Sequence, residues 1–263
     1  HNMKYYFTQN RYRVINRTSI PSTNLTFANV WGACDEDVFN WSMTEADQAW
    51  AKQRPFFHFV MTTSNHRPYT YPDGRIDIPS HTGREGGVKY TDYAIGQFIE
   101  KARSRPWFAN TLFVIVADHC AASAGRTDLP IKRYEIPLLI YNPGLVDART
   151  VGALCSQIDY PPTLLSLLNW SYQTRFFGKD ILQMRPRDER ALIASYQKLG
   201  LLNKKELAIL KPVRERGAYR YKRTNGELTE IQDLTGLAED AIAYYQAASY
   251  IFRNGLDGAI HEP

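Results

Sequence analysis

The stretch Asn110-Thr111-Leu112-Phe113-Val114-Ile115-Val116-Ala117-Asp118-His119 decides the fold, because it runs from a continuous apolar, β-branched segment straight into two residues that bind metals and move protons. An uninterrupted run such as Leu112–Ala117 is expected of a strand covered on both faces of an α/β sheet. In open α/β sheets ligands collect beyond the carboxyl ends of strands, and Asp118-His119 falls at such an end. A carboxylate oxygen beside an imidazole nitrogen suits Mn²⁺, Zn²⁺ or Mg²⁺ bound to a phosphate or sulfate ester. The same dipeptide also serves as a helix cap beside a packed histidine, and on residue type alone the two readings carry equal weight.

Outward from this stretch, strand and helix patterns alternate. Upstream, Pro55–Thr63 (PFFHFVMTT) predicts a buried strand that empties into Ser64-Asn65-His66-Arg67-Pro68. Val88–Arg103 places Ala94, Ile95, Phe98, Ile99 and Ala102 on one helical face. Downstream, Ile136–Tyr141 (IPLLIY) repeats the strand type, and Asp159 before Pro161-Pro162 marks a capped helix start. Strand, helix and strand in this order predict a parallel βαβ unit. Beyond Gln183 the pattern changes: Ala191–Leu202 reads as a helix, Asn225-Gly226 as a hairpin turn, and Leu237–Asn254 as a helix closed by Gly255. The expected architecture is therefore α/β, a three-layer α/β/α arrangement on a mostly parallel sheet. Residues 1–182 form its main domain, and residues 183–263 a small appendage of β-hairpin and helix.

Composition limits the function classes. A chain of 263 residues, 44% hydrophobic, holds a substantial core. The formal charge of +5 favours anionic partners, yet the basic residues are scattered, and nucleic acid is not expected as a partner. Three cysteines are too few for a disulfide scaffold or a cysteine-rich zinc site. No apolar run approaches the roughly 20 residues that span a bilayer.

Three segments taken together, NTLFVIVADHCAASAG, RYEIPLLIYNPG and SQIDYPPTLLSLLN with FFGKDIL, resemble the C-terminal half of the alkaline phosphatase and sulfatase superfamily. PFFHFVMTTSNHRPYTYP, with the opening Tyr5-Tyr6-Phe7 and Asn10-Arg11-Tyr12, looks like its lipoteichoic acid synthase and phosphoglycerol transferase branch. That resemblance implies a metal-dependent transfer of a phosphoglycerol group, or hydrolysis of a phosphodiester. The substrate would be an anionic membrane-lipid head group on the periplasmic or extracellular face of the cell membrane.

By the same resemblance Asp118 and His119 are metal ligands, with Mn²⁺ favoured over Zn²⁺ or Mg²⁺, and His66 binds the transferred group, with Arg67 beside it as a further substrate-binding residue that meets phosphate oxygens. The nucleophilic threonine, a further metal carboxylate and the transmembrane helices lie upstream of this segment in such proteins. Thr62, Thr63, Thr82 and Thr91 lack the expected strand-to-helix turn, so this stretch of chain is expected to be a nucleophile-free fragment. A sulfatase or phosphoethanolamine transferase is the alternative enzyme, and a truncated, non-catalytic anion- or partner-binding homologue the alternative of another class.

Residues outside the resemblance carry weaker expectations. His58 reads as a satisfied core histidine, and Cys120 as a small buried residue rather than a soft-metal ligand. His81, Arg84 and Glu85 of SHTGREGG are a flexible loop or a substrate mouth. Asp35, Glu36 and Asp37 read as a solvated helix start.

Overall fold

The computed structural model describes residues 3–121, 129–233, 235–256 and 258. They form two compact units, one of residues 1–112 and 142–146, the other of residues 113–141 and 147–263.

Among its described residues the first unit holds three α-helices: α1 (Met3–Gln9), α2 (Asp35–Ala51) and α3 (Arg84–Arg103). α2 and α3 pack together, Phe39 stacking on Phe98 with ring centroids 4.8 Å apart. Gly86 in α3 lets Tyr71 approach, since a Cβ there would sit 2.2 Å from the Tyr71 hydroxyl. Tyr71 in turn stacks on Tyr90 at 4.9 Å.

The acidic start of α2 is not the solvated helix start that its composition suggests. Asp35 and Asp37 are 0% and 3% exposed. Asp35 accepts the Thr63 and Ser64 amides at 3.0 and 3.1 Å and the Thr91 hydroxyl at 2.8 Å. Asp37 accepts the Thr26 amide at 2.8 Å, and Glu36 the Tyr90 hydroxyl at 2.9 Å and Arg75 Nε at 3.0 Å. A buried carboxylate is tolerable only when hydrogen bonds replace its water, and here backbone and hydroxyl donors do so.

Residues 55–63, expected to be a buried strand, form no strand and join no ladder among the described residues. Their alternation leaves Phe57, Phe59 and Met61 exposed while His58 turns inward to Ser42 Oγ at 3.0 Å. Burial, and then the charge of Arg13, holds the His58 pKa below its ordinary value, as befits a neutral, packed histidine.

In the second unit, β1 (Phe113–Val116) pairs with β2 (Leu138–Tyr141) in the register Phe113↔Tyr141 to Val116↔Leu138. The pairing is antiparallel, where a mostly parallel sheet was expected, and the expected βαβ unit lacks its first strand because residues 55–63 form none. No α-helix is present in the described part of the connection from Val116 to Leu138, and parallel pairing generally needs one for its crossover. Nor is β1 covered on both faces: only Phe113 is buried. Helix α4 (Tyr160–Leu167) follows where Asp159 and the two prolines place it.

Residues 191–231 form a five-stranded antiparallel meander: β3 (Ala191–Ser195), β4 (Lys198–Leu202), β5 (Glu206–Leu210), β6 (Arg216–Tyr221) and β7 (Leu228–Ile231). The predicted helix over 191–202 is thus a hairpin, turning at Tyr196 with φ 52°, and the appendage is larger than the single hairpin expected. Strand periodicity explains its two cores. Ala191, Ile193, Leu207 and Ile209 face one cluster with Leu129, whereas Leu201 and Ala208 face Leu237, Ala238 and Ala241 of α5 (Leu237–Arg253). The Asn225-Gly226 turn and the Gly255 helix end form as the sequence predicts, with φ of 74° and 64°.

Candidate functional site

The chain leaves β1 at Val116, and two residues later Asp118 and His119 present side chains that are 87% and 68% exposed. Asp118 Oδ1 accepts the His119 amide at 2.8 Å, which leaves Oδ2 3.5 Å from His119 Nε2. His119 Nδ1 lies 2.7 Å from the Cys120 carbonyl. A carbonyl can only accept, so in the neutral ring Nδ1 carries the proton and Nε2 keeps its lone pair. A histidine that donates from one nitrogen to a carbonyl and offers the other is the usual arrangement of a metal ligand.

Two donors therefore converge, one oxygen and one nitrogen, and both are hard or borderline in character. This donor pair fits a divalent metal as half of a coordination shell. Among the described residues no group of three or more His, Cys, Asp or Glu could hold a metal ion. Cys120 does not extend the set: its thiol donates to the Glu135 carbonyl at 2.8 Å, and burial keeps its pKa above the ordinary value, so it stays a thiol.

His66 and Arg67 stand together in the other unit, on the turn after residues 55–63. The turn is pinned from below by Asp35 on Thr63 and Ser64, and closed by the His66 amide on the Thr63 carbonyl at 3.0 Å. The His66 ring lies against Trp31 with centroids 3.9 Å apart. Its Nδ1 is 3.0 Å from the Arg67 carbonyl, which also accepts Trp31 Nε1 at 2.6 Å. The free-base lone pair of His66 is thereby also directed to Nε2.

Arg67, Pro68 and Tyr69 line an open cleft with His81, Thr82 and Gly83. The two walls are joined by the His81 amide on the Tyr69 carbonyl at 3.0 Å, and the Arg84 guanidinium lies 5.2 Å over the Tyr69 ring. The SHTGREGG loop thus contributes His81, Thr82 and Gly83 to the surface that Arg67 faces. Sequence reasoning missed Trp31 and underrated Asp35, because both act on residues about 30 positions away and neither carries a local motif.

A Sulfatase family model matches residues 1–170 of the chain. The lipoteichoic acid synthase-like YvgJ of Bacillus subtilis is 24% identical over 176 residues, which cover 58% of this chain and 28% of that protein. Phosphoglycerol transferase I of Xanthomonas campestris is 24% identical over 161 residues, covering 59% and 23%. The chain thus spans about a quarter of the length of these curated relatives.

Among solved structures, a protein of the alkaline phosphatase superfamily from Vibrio parahaemolyticus superposes with a TM-score of 0.87 at 30% identity, covering 93% of this chain and 60% of that one. The lipoteichoic acid synthase LtaP of Listeria monocytogenes superposes with a TM-score of 0.67 at 18% identity, over 89% and 62%. These likenesses bear out the α/β class and the alkaline-phosphatase-like fold. With a family model matched over more than half its length, the chain belongs to the Sulfatase family.

Proposed function

We propose that this chain is the C-terminal part of a metal-dependent phosphoglycerol transferase or phosphodiester hydrolase acting on an anionic membrane-lipid head group at the outer face of the membrane. The observation that carries this reading is the Asp118–His119 pair, with Nε2 and Oδ2 3.5 Å apart and exposed beyond β1, in a chain whose relatives are named for lipoteichoic acid and phosphoglycerol chemistry. Asp118 and His119 would hold the metal, Mn²⁺ by preference and Zn²⁺ or Mg²⁺ otherwise, with the remaining ligands and the nucleophile supplied from elsewhere in the protein. Bound there, the cation would neutralise charge developing on the phosphoryl oxygens and lower the pKa of an attacking hydroxyl.

The chain's own residues supply recognition and proton handling. His66, anchored by Trp31 and by the Arg67 carbonyl, would meet the transferred group through Nε2, donating a hydrogen bond in its protonated form. Arg67 and the cleft beside it would receive the anionic head group, since a guanidinium pairs with phosphate oxygens through two parallel bonds.

Calorimetric titration with Mn²⁺ tests the half-site. Asp118→Ala or His119→Ala should each weaken binding at least tenfold, about 1.4 kcal/mol, and unchanged affinity in both would remove the assignment. His66→Ala should leave Mn²⁺ affinity intact and slow turnover of a glycerophosphodiester. A normal rate would take His66 out of the reaction, and turnover of aryl sulfates alone would move the protein to the sulfatases proper.

A further inference from the structure

We propose that Gln157 is a positioning residue for the Asp118–His119 pair, an inference that rests on the metal half-site reading above. Its side-chain amide donates to two successive backbone carbonyls, Ala117 at 2.7 Å and Asp118 at 3.0 Å. Two acceptors on one atom settle the orientation of the amide, because only its NH₂ end can satisfy both. These carbonyls belong to the residues that carry the chain out of β1, so the clamp holds the backbone from which both candidate ligands project.

Gln157 is itself held by a buried ionic node. Its neighbour Ser156 donates its amide to Asp159 Oδ2 at 2.7 Å, and the Ser156 hydroxyl accepts the Leu192 amide at 2.6 Å. Asp159, fully buried, accepts Arg190 Nη1 on both oxygens at 2.9 and 2.8 Å and the Lys179 amide at 2.8 Å. Arg190 in turn donates to the Phe177 carbonyl at 2.8 Å. The path from the start of β3 to the site is continuous: Arg190, Asp159, Ser156, Gln157, then the carbonyls of Ala117 and Asp118. Such a brace matters because both ligand side chains are exposed and, among the described residues, the turn beyond β1 is tied toward β2 by the long Ala117 amide bond to the Pro137 carbonyl at 3.4 Å and by the weak Cys120 thiol donor on the Glu135 carbonyl. Residues around a metal that fix its ligands typically alter affinity by ten- to a hundredfold when removed.

Gln157→Leu keeps the shape and removes the donors, and Gln157→Glu sets a carboxylate against two carbonyl oxygens. Gln157 is exposed, so both variants should fold with little change in melting temperature. Hydrogen exchange read on a peptide spanning residues 112–121, without metal, should quicken about fivefold in both. Mn²⁺ affinity of the complete protein should fall about tenfold. Unchanged exchange in both variants would overturn the clamp. Faster exchange with unchanged Mn²⁺ affinity, where Asp118→Ala does lose affinity, would overturn the positioning role. If Asp118→Ala itself binds Mn²⁺ normally, the half-site reading fails instead, and the exchange measurement still decides whether Gln157 holds the turn.

Discussion

Asp159 and Arg190 show what one residue pair can cost and hold. With side chains 0% and 8% exposed, neither charge could stand alone in the interior, and each makes further hydrogen bonds to backbone groups or a hydroxyl. Removing one member strands the other, a loss of about 3–5 kcal/mol. Asp159→Ala should therefore lower the urea-unfolding free energy by that amount, and a change under about 1 kcal/mol would mean that the arginine finds water or another partner. The aspartate reads in the sequence as the cap of a helix ahead of Pro161-Pro162; the helix starts there, but the side chain does not cap it and turns instead to Ser156, Lys179 and Arg190, the last 31 positions away and announced by no local pattern. Asp118 and His119 differ in this respect. Their pairing is written in adjacent residues, so the dipeptide stands out in the sequence alone.

Secondary structure was legible wherever one element's own pattern sufficed. The apolar face of α3, the prolines of α4, the Asn225-Gly226 turn and the glycine after α5 are local signals, and each forms where read. Ala191–Leu202 is the failure that explains the rest. Its alanines and leucines favour helix by well under 1 kcal/mol each, whereas pairing with β5 and burial of Ile193 and Leu201 decide for strands. Gly200, which counts against a helix, is required by the sheet: a Cβ there would lie 2.7 Å from Leu129 Cδ1 and 2.9 Å from Ile193 Cγ1. Gly200→Ala should accordingly destabilise the protein by about 1–3 kcal/mol through overpacking, read as a lower urea midpoint. A neutral result would show that the sheet at β4 yields to admit a methyl group.

Over the whole molecule, acid should act first through His58 and then, at lower pH, chiefly through carboxylates of the second unit. Glu189 is held below the ordinary carboxylate range by Lys204 Nζ at 2.7 Å and by the Leu154 amide at 2.8 Å. Asp188 is lowered chiefly by Arg185 and then Lys179, and Glu227 by Lys222. A depressed folded pKa contributes stability that is complete above the unfolded value, near 4, and is lost as pH falls through the folded one. Urea midpoints should thus ease down below about pH 6.5, where the unfolded chain takes up a proton that buried His58 does not, and drop further below about pH 4.5, less steeply in Glu189→Gln than in the parent. Equal slopes would exclude Glu189 from the acid response.

The α/β class, the family, helices α3 to α5 and the candidate ligands are legible along the chain, because each rests on residues adjacent or periodic in it. Contacts between distant segments set the antiparallel run of β1 and β2, the burial of the acidic start of α2 beneath the His66 turn, and the reach of Gln157 to the carbonyls of Ala117 and Asp118. Those outcomes depend on partners 20 to 40 residues away, whose gains in pairing and burial exceed any local preference.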